Sequence, residues 1–157
     1  MRRLLLSLLC VACLTAVAVG AELPTKVAPD DPKIALQGAW TKDFQGAWTG
    51  VGLRFRTDAE AVNLLMDDAA PGGPHPVKGN RNNYLAIQID DGEAHTLSLE
   101  KGVERYAIPG LDGNPHTVTI FKRTEALFRH ITFKGLELPE GATLLDPPAP
   151  AKIRLQV

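Results

Sequence analysis

Apolar residues recur at every second position through most of this chain, and this period restricts its possible folds more than any other feature. Leu53 and Phe55, for example, alternate with Arg54 and Arg56. Successive side chains of an extended strand point to opposite faces, so alternation is typical of strands with one buried face. The same pattern recurs in the runs 34–36, 51–55, 62–66, 85–89, 97–99, 118–120 and 131–133.

Turn-forming residues separate these runs. Segments 90–92 and 111–114 read Asp-Asp-Gly and Leu-Asp-Gly-Asn, which suit tight turns. Gly135 breaks the alternation of the last run, which predicts a β-bulge. Eight or so short strands without a sustained helical stripe predict an all-β fold, a two-sheet antiparallel β-sandwich of the jelly-roll type.

The first 21 residues have the composition of an export signal. Arg2 and Arg3 precede an apolar run at 4–19, and small residues predict cleavage after Ala21. The run is shorter than the roughly 20 residues of a membrane-spanning helix. We therefore expect a secreted or periplasmic protein without a membrane partner after cleavage. An uncleaved anchor and a lipoprotein acceptor at Cys13 are the alternatives.

The remaining chain is long enough for one domain. Its segment 22–32 contains Pro24, Pro29 and Pro32, which predict an extended leader rather than a packed element. We expect the sandwich domain at 33–148 and a C-terminal tail at 149–157. The signal holds two of the 17 basic residues and none of the 18 acidic ones, so the remainder carries a net charge of −3. This balance gives no attraction to nucleic acid.

Catalytic combinations of residues are scarce. Both cysteines lie in the signal, and the one serine after it, Ser98, stands between Leu97 and Leu99 without a neighbouring glycine. The histidines at 75, 95, 116 and 130 are not paired at metal-binding spacing. The sequence therefore predicts no catalytic residue, no metal and no cofactor.

Aromatic and basic residues are the candidates for binding. Trp40 and Trp48 belong to a repeated Gly-Ala-Trp-Thr segment, and exposed aromatic rings stack on sugars, although a tryptophan in a small β-domain also serves the core. Arg54 and Arg56 share one strand face, where they are solvated, bind an anionic ligand or pair with Glu125.

The stretch 116–125 begins as a strand and ends in three charged residues, Lys122, Arg123 and Glu125. Side chains two positions apart share a face at roughly 7 Å, so Arg123 and Glu125 are placed to pair. The stretch predicts either a ligand site or a structural corner that faces another domain, and the corner is the favoured interpretation.

Several segments together carry a resemblance to a known family. The sequence 110–125, followed by 133–135 and 144–148, resembles the N-terminal jelly-roll domain of the family 2 carbohydrate esterases. Segments 31–40, 50–55 and 84–92 fit the same pattern, and the run Lys122-Arg-Thr-Glu125 is its most specific part. Ala39 is a departure, because the family pattern at 38–40 is Gly-Arg-Trp.

The resemblance implies exported deacetylases of plant polysaccharides, in which this domain precedes an SGNH-type catalytic domain with a Gly-Asp-Ser nucleophile motif. We expect 149–157 to be the remnant of a linker to an absent catalytic domain. The implied function is a non-catalytic accessory module of polysaccharide deacetylation with weak carbohydrate binding. The alternatives are an interaction module for a separate SGNH esterase chain, through Ile153, Leu155 and Val157, and a truncated acetyl xylan esterase without independent activity.

Overall fold

Ten β-strands form the regular structure of the protein in the computed structural model, which describes residues 19–68, 82–126 and 130–147. The strands are β1 (Thr25–Val27), β2 (Ala35–Gln37), β3 (Gln45–Gly46), β4 (Gly52–Thr57), β5 (Asn63–Asp67), β6 (Tyr84–Ile89), β7 (His95–Ser98), β8 (Arg105–Ala107), β9 (His116–Lys122) and β10 (Ile131–Leu138). They form two antiparallel sheets, which confirms the predicted all-β sandwich.

Each sheet joins strands that are distant in the chain. The first has the order β1, β10, β5, β8, and β3 also pairs with β10. The second has the order β2, β4, β9, β6, β7. In the second sheet Leu53 of β4 lies opposite Ile120 of β9, which in turn lies opposite Ile87 of β6. Rows of this kind turn the apolar side chains of three strands toward the first sheet.

The core lies between the two sheets and follows the alternation of the sequence. Leu53 and Phe55 are fully buried, whereas Arg54 and Arg56 of the same strand are partly exposed. Burial of a side chain of this size stabilises the fold by roughly 1.5–3 kcal/mol relative to exposure. The largest apolar members of the core are Tyr106, Phe55, Phe133, Leu53, Leu64, Met66, Leu85, Ile87, Leu99, Ile120 and Ile131.

Gly135 forms the predicted bulge in β10. The register with β5 shifts between Phe133 and Gly135, and the glycine has a φ of +114°. A Cβ atom there would lie 2.2 Å from the carbonyl oxygen of Val27 in β1. Glycine is therefore required both for the left-handed backbone and for the close approach of β1.

The segment 22–32 contains a strand followed by turns, so the expectation of an extended leader without a packed element is wrong. Its residues Thr25–Val27 form β1, which pairs with Leu138 to Leu136 at the edge of the first sheet. Pro24 precedes these three residues and Pro29 follows them, so all three backbone amides remain available for the ladder. A short extended segment with free backbone amides is enough to form a strand at the edge of a sheet.

A buried ion pair holds this edge in place. The Glu137 side chain is 1% exposed and accepts hydrogen bonds from Arg105 Nε at 2.7 Å and Arg105 Nη2 at 3.0 Å. Asn63 Nδ2 and the backbone amide of Leu23 donate to the same carboxylate at 3.1 and 3.3 Å. These donors, the Arg105 guanidinium first among them, lower the pKa of Glu137 to about 2 against the opposing effect of burial.

Several predicted features fall outside the described residues. These are residues 1–18 of the signal with Cys13, the residue His75, and the tail 149–157 with Ile153, Leu155 and Val157. Within the described ranges, no helix has the length and apolar character needed to cross a membrane.

Candidate functional site

The two tryptophans of the repeated segment occupy different environments. Trp40 Nε1 donates to the carbonyl oxygens of Gln37 and Gly52 at 2.9 and 3.0 Å, and its ring centroid lies 6.5 Å from that of Phe133. Trp40 is therefore largely a structural residue that ties the first connection to the core. Trp48 is 66% exposed, the most exposed large aromatic side chain among the described residues.

An open cleft of about 350 Å³ lies beside Trp48. Both tryptophans line it, together with polar and small side chains; the remaining lining residues are Ala39, Thr41, Gln45, Ala47 and His130. A flat aromatic surface next to hydroxyl, amide and imidazole groups is the combination that contacts the apolar and polar sides of a sugar ring. Ala39, the departure noted in the sequence, adds only a methyl group to the lining of this cleft.

Arg54 and Arg56 lie on the outer side of the second sheet, away from the core. Arg54 stands opposite Ala35 and Thr119, and Arg56 stands opposite Thr117. The predicted shared face of the two arginines is confirmed. Neither of them lies beside Glu125 in the strand register.

Lys122 is fully buried, although the sequence placed it with residues that contact a ligand or a second domain. Alternation along β9 turns it inward with Val118 and Ile120. Its Nζ atom donates to the carbonyl oxygens of Thr124 at 2.6 Å and Glu125 at 3.2 Å. Burial lowers the pKa of Lys122 to about 8, while the nearby charge of Asp68 acts in the opposite direction. Direct ligand contact by this ammonium group is thus excluded in this structure.

Three residues extend this buried polar group across the end of the sandwich. The carboxylate of Asp68 accepts hydrogen bonds from the backbone amide of Asn83 at 3.2 Å and from its Nδ2 atom at 2.6 Å. The Oδ1 atom of Asn83 accepts from Thr124 Oγ1 at 2.5 Å. Thr49 Oγ1 also donates to the Thr124 carbonyl oxygen. The network joins the end of β5, the start of β6, the end of β9 and the segment that follows Trp48.

Arg123 and Glu125 do not form the predicted ion pair in the part of the chain that the structure describes. Arg123 Nη1 instead donates to Thr96 Oγ1 at 2.6 Å, and Glu125 is exposed with its backbone carbonyl bonded to Lys122. The chain bends at Thr124, between the two residues, so their side chains do not share a strand face. The seven predicted residues therefore divide among a cleft, an outer sheet face and a buried network.

Asp68, Asn83 and Thr124 were missed by the sequence analysis as members of one group. Neither Asp68 nor Asn83 belongs to a sequence pattern that predicts such a group. The clue available in the sequence is Lys122 itself, because the alternation of β9 already turns it to the core face. A buried ammonium group requires acceptors nearby, but their identity depends on which chain segments meet there.

His116, at the start of β9, bridges two surface turns. Its Nδ1 atom lies 2.7 Å from Asp90 Oδ2 and its Nε2 atom 2.9 Å from Asp112 Oδ1. These contacts raise the pKa of His116 and lower the pKa of Asp112 to about 2. The two carboxylates lie on opposite sides of the ring, and no group of three metal-ligating side chains is found within the described ranges.

Comparison with known proteins agrees with this architecture. The profile of the carbohydrate esterase 2 N-terminal family matches residues 39–148, well over half of the chain. The fold therefore belongs to a class of β-sandwich domains that occur in esterases. The protein is a member of the carbohydrate esterase 2 N-terminal family.

Solved structures share the fold at low sequence identity. A family two carbohydrate esterase from Cellvibrio japonicus is 20% identical with a TM-score of 0.63, covering 80% of this chain and 36% of that one. A family 2 enzyme from Corynascus thermopiles (Myceliophthora fergusii) is 22% identical with a TM-score of 0.60, covering 77% and 33%. A salicylyl-acyltransferase from a tetracycline biosynthetic pathway is 21% identical with a TM-score of 0.59, covering 80% and 42%.

The chain thus spans about a third of the length of the two esterases. The same fold also occurs in an acyltransferase, so the fold by itself does not define a substrate.

Proposed function

We propose that this protein is an exported, non-catalytic accessory module of polysaccharide deacetylation that binds carbohydrate through the cleft beside Trp48. The observation that carries the proposal is the 66% exposure of Trp48 on a rigid sandwich corner. Membership in an esterase N-terminal family supplies the context of acetylated polysaccharides. Export rests on the signal-like sequence at 1–21.

The rigidity of the Trp48 segment supports a binding role. Thr49 donates to Thr124, and the amide of Gly50 donates to the Lys122 carbonyl oxygen at 2.9 Å, so the segment after Trp48 is fixed to β9. Trp40 closes the other side of the cleft with two hydrogen bonds of its own. A preformed surface binds a sugar without first paying to order a loop.

The surroundings of Ser98 support a non-catalytic role. Ser98 is half-buried at the end of β7, and its Oγ atom accepts a hydrogen bond from Asn82 Nδ2 at 3.3 Å. Within the described ranges, no histidine forms a hydrogen bond with the Ser98 side chain. A serine nucleophile needs a base in hydrogen-bond reach, so purified protein should release no acetate from acetylated xylan. Turnover that Ser98→Ala abolishes would contradict this role.

Affinity electrophoresis on neutral polysaccharides tests binding. The chain from Glu22 onward should be retarded in gels that contain arabinoxylan or glucomannan, and Trp48→Ala should restore free mobility, whereas Trp48→Phe should retain part of the retardation. Leu36→Ala removes another exposed large apolar side chain outside the cleft and is the control. Unchanged mobility of the wild type in every gel would exclude carbohydrate binding.

A second candidate function is an interaction module for a separate SGNH esterase chain. It is supported by the family match, since this kind of domain accompanies a larger region in the esterases that share its fold. Light scattering of the protein, alone and mixed with an SGNH esterase catalytic domain, tests this candidate. A strict monomer that forms no complex and binds insoluble glycan would favour the first function.

A further inference from the structure

The side of the second sheet that faces away from the core carries an unusual set of charges. We call this side the outer face; it presents Arg54 and Arg56 of β4, Thr119 and Phe121 of β9, and Gln88 of β6. Arg123 continues the ladder directly after β9, because its amide donates to the Tyr84 carbonyl oxygen at 2.9 Å. The five strands of this sheet contain no aspartate or glutamate.

Asp90, an acidic side chain close to Arg56, is already engaged by other donors. Asp90, in the turn after β6, accepts hydrogen bonds from His116 Nδ1 at 2.7 Å and from the Thr117 amide at 2.8 Å. Arg56 acts on Asp90 only as a nearby charge. The strands of the outer face therefore contribute basic and no acidic side chains to it, although the chain after its signal is negative overall. Its attraction for anions is local.

Phe121 stands in the middle of the outer face between two small residues. The register places Gly52 on one side of it and Ala86 on the other. A partly exposed aromatic ring with no bulky neighbour in its row offers a stacking surface. Arg54 and Thr119 occupy the next row toward one end of the sheet, and Arg123 lies at the other end.

The spacing of the charges favours an extended ligand. Arg56 lies opposite Thr117 of β9, and Thr117 precedes Arg123 by six residues. In an extended strand, six residues separate the two arginines by about 20 Å. A single small anion cannot contact both arginines, whereas a chain with repeated anionic groups can. Arg123 is followed by Thr124, whose carbonyl oxygen accepts a hydrogen bond from Thr49, the neighbour of Trp48. The surface near Arg123 therefore leads toward Trp48.

We propose that the outer face binds an acidic polysaccharide, a chain with carboxylate-bearing uronic acid residues, with Arg56 and Arg123 as carboxylate partners and Phe121 as the stacking platform. Guanidinium groups match carboxylates in geometry, and aromatic rings contact the apolar sides of sugars. The inference rests on the proposed carbohydrate-binding function and specifies its ligand class, but it depends on different residues from the Trp48 cleft.

Calorimetric titration with oligogalacturonate and with neutral xylo-oligosaccharide tests the proposal. The acidic oligomer should bind more tightly, with affinity that falls as salt rises. Arg123→Gln and Arg56→Gln should each weaken acidic binding by about tenfold, and Phe121→Leu should weaken it while retaining the apolar volume. Lys101→Gln removes one positive charge from an exposed turn and should leave the affinity unchanged.

The outcomes separate this proposal from the general one. Neutral binding that depends on Trp48, without a preference for acidic oligomers, would overturn the acidic-ligand proposal and keep the carbohydrate-binding function. Equal losses of affinity in Lys101→Gln and Arg123→Gln would show that the overall charge of the protein causes the binding, and this result would also overturn the acidic-ligand proposal. Dextran sulfate or DNA that binds as tightly as oligogalacturonate would show a site for any polyanion, contrary to the proposal.

Discussion

The Nζ atom of Lys122 donates to the carbonyl oxygen of Thr124 at 2.6 Å, so a fully buried ammonium group closes the end of the strand that carries it. Through Thr124 the same contact reaches Asn83 and Asp68. The network fixes the chain directly after Trp48, and it stands where the sequence predicts a structural corner that faces another domain.

The stability of the protein should rise with pH between 7.5 and 9.5. Lys122 has a pKa of about 8 in the folded state and an ordinary value of 10.5 when unfolded, so the unfolded chain binds more protons in this interval. The free energy of unfolding should increase by about 2 kcal/mol across it. Lys122→Met should remove this rise, whereas Lys101→Met at an exposed turn should retain it. A wild-type stability that stays flat in urea titrations would show that the ammonium is not desolvated.

Asn83 should contribute strongly to stability because it connects two buried groups. Asn83→Ala removes the donor of Asp68 and the acceptor of the Thr124 hydroxyl. A buried polar group left without a partner costs about 1–3 kcal/mol, so we expect a loss of about 2–3 kcal/mol in urea unfolding. Asn82→Ala, at the neighbouring residue that donates to Ser98 at 3.3 Å, should cost less than about 1 kcal/mol. Similar losses in the two variants would contradict the role of the network.

Glu137 should control the acid stability of the edge formed by β1 and β10. Its pKa of about 2 lies below the ordinary 4.5, so the stabilisation is present above pH 4.5 and is lost as pH falls toward 2. Glu137→Gln should lower the free energy of unfolding at pH 7 by about 2 kcal/mol and flatten the dependence below pH 4.5. Glu104→Gln breaks an exposed pair with Lys134 and is the control. An unchanged acid profile in Glu137→Gln would overturn this assignment.

His116 should titrate above its ordinary pKa of 6.5, because Asp90 and Asp112 both stabilise the imidazolium form. Its contribution to stability is present below pH 6.5 and is lost as pH rises through the raised folded value. Titration of the ring protons by NMR should give a value above 6.5 that falls toward it in Asp90→Asn. A titration midpoint at or below 6.5 in the wild type would show that the two carboxylates do not hold the ring charged.

The regular part of the fold can be predicted from local pattern. The faces of β4 are defined by the alternation of Arg54 and Arg56 with Leu53 and Phe55. Gly135 marks the bulge of β10. Both features are predictable because side-chain direction and backbone freedom depend on a few neighbouring residues. The candidate site is less predictable. Trp48 is exposed and Trp40 is partly buried, although each lies in a copy of the same tetrapeptide. The reason is that Trp40 packs near Phe133.

The sequence by itself determined the strand alternation, the turns and the family to which the chain belongs, since these depend on the order of residue types. Only the tertiary structure decided that Thr25–Val27 becomes an edge strand opposite Leu136, and that Lys122 meets the end of β5 and the start of β6. Such contacts join residues far apart in the chain. The burial and electrostatics of a group depend on which distant segments surround it, and no local pattern specifies that.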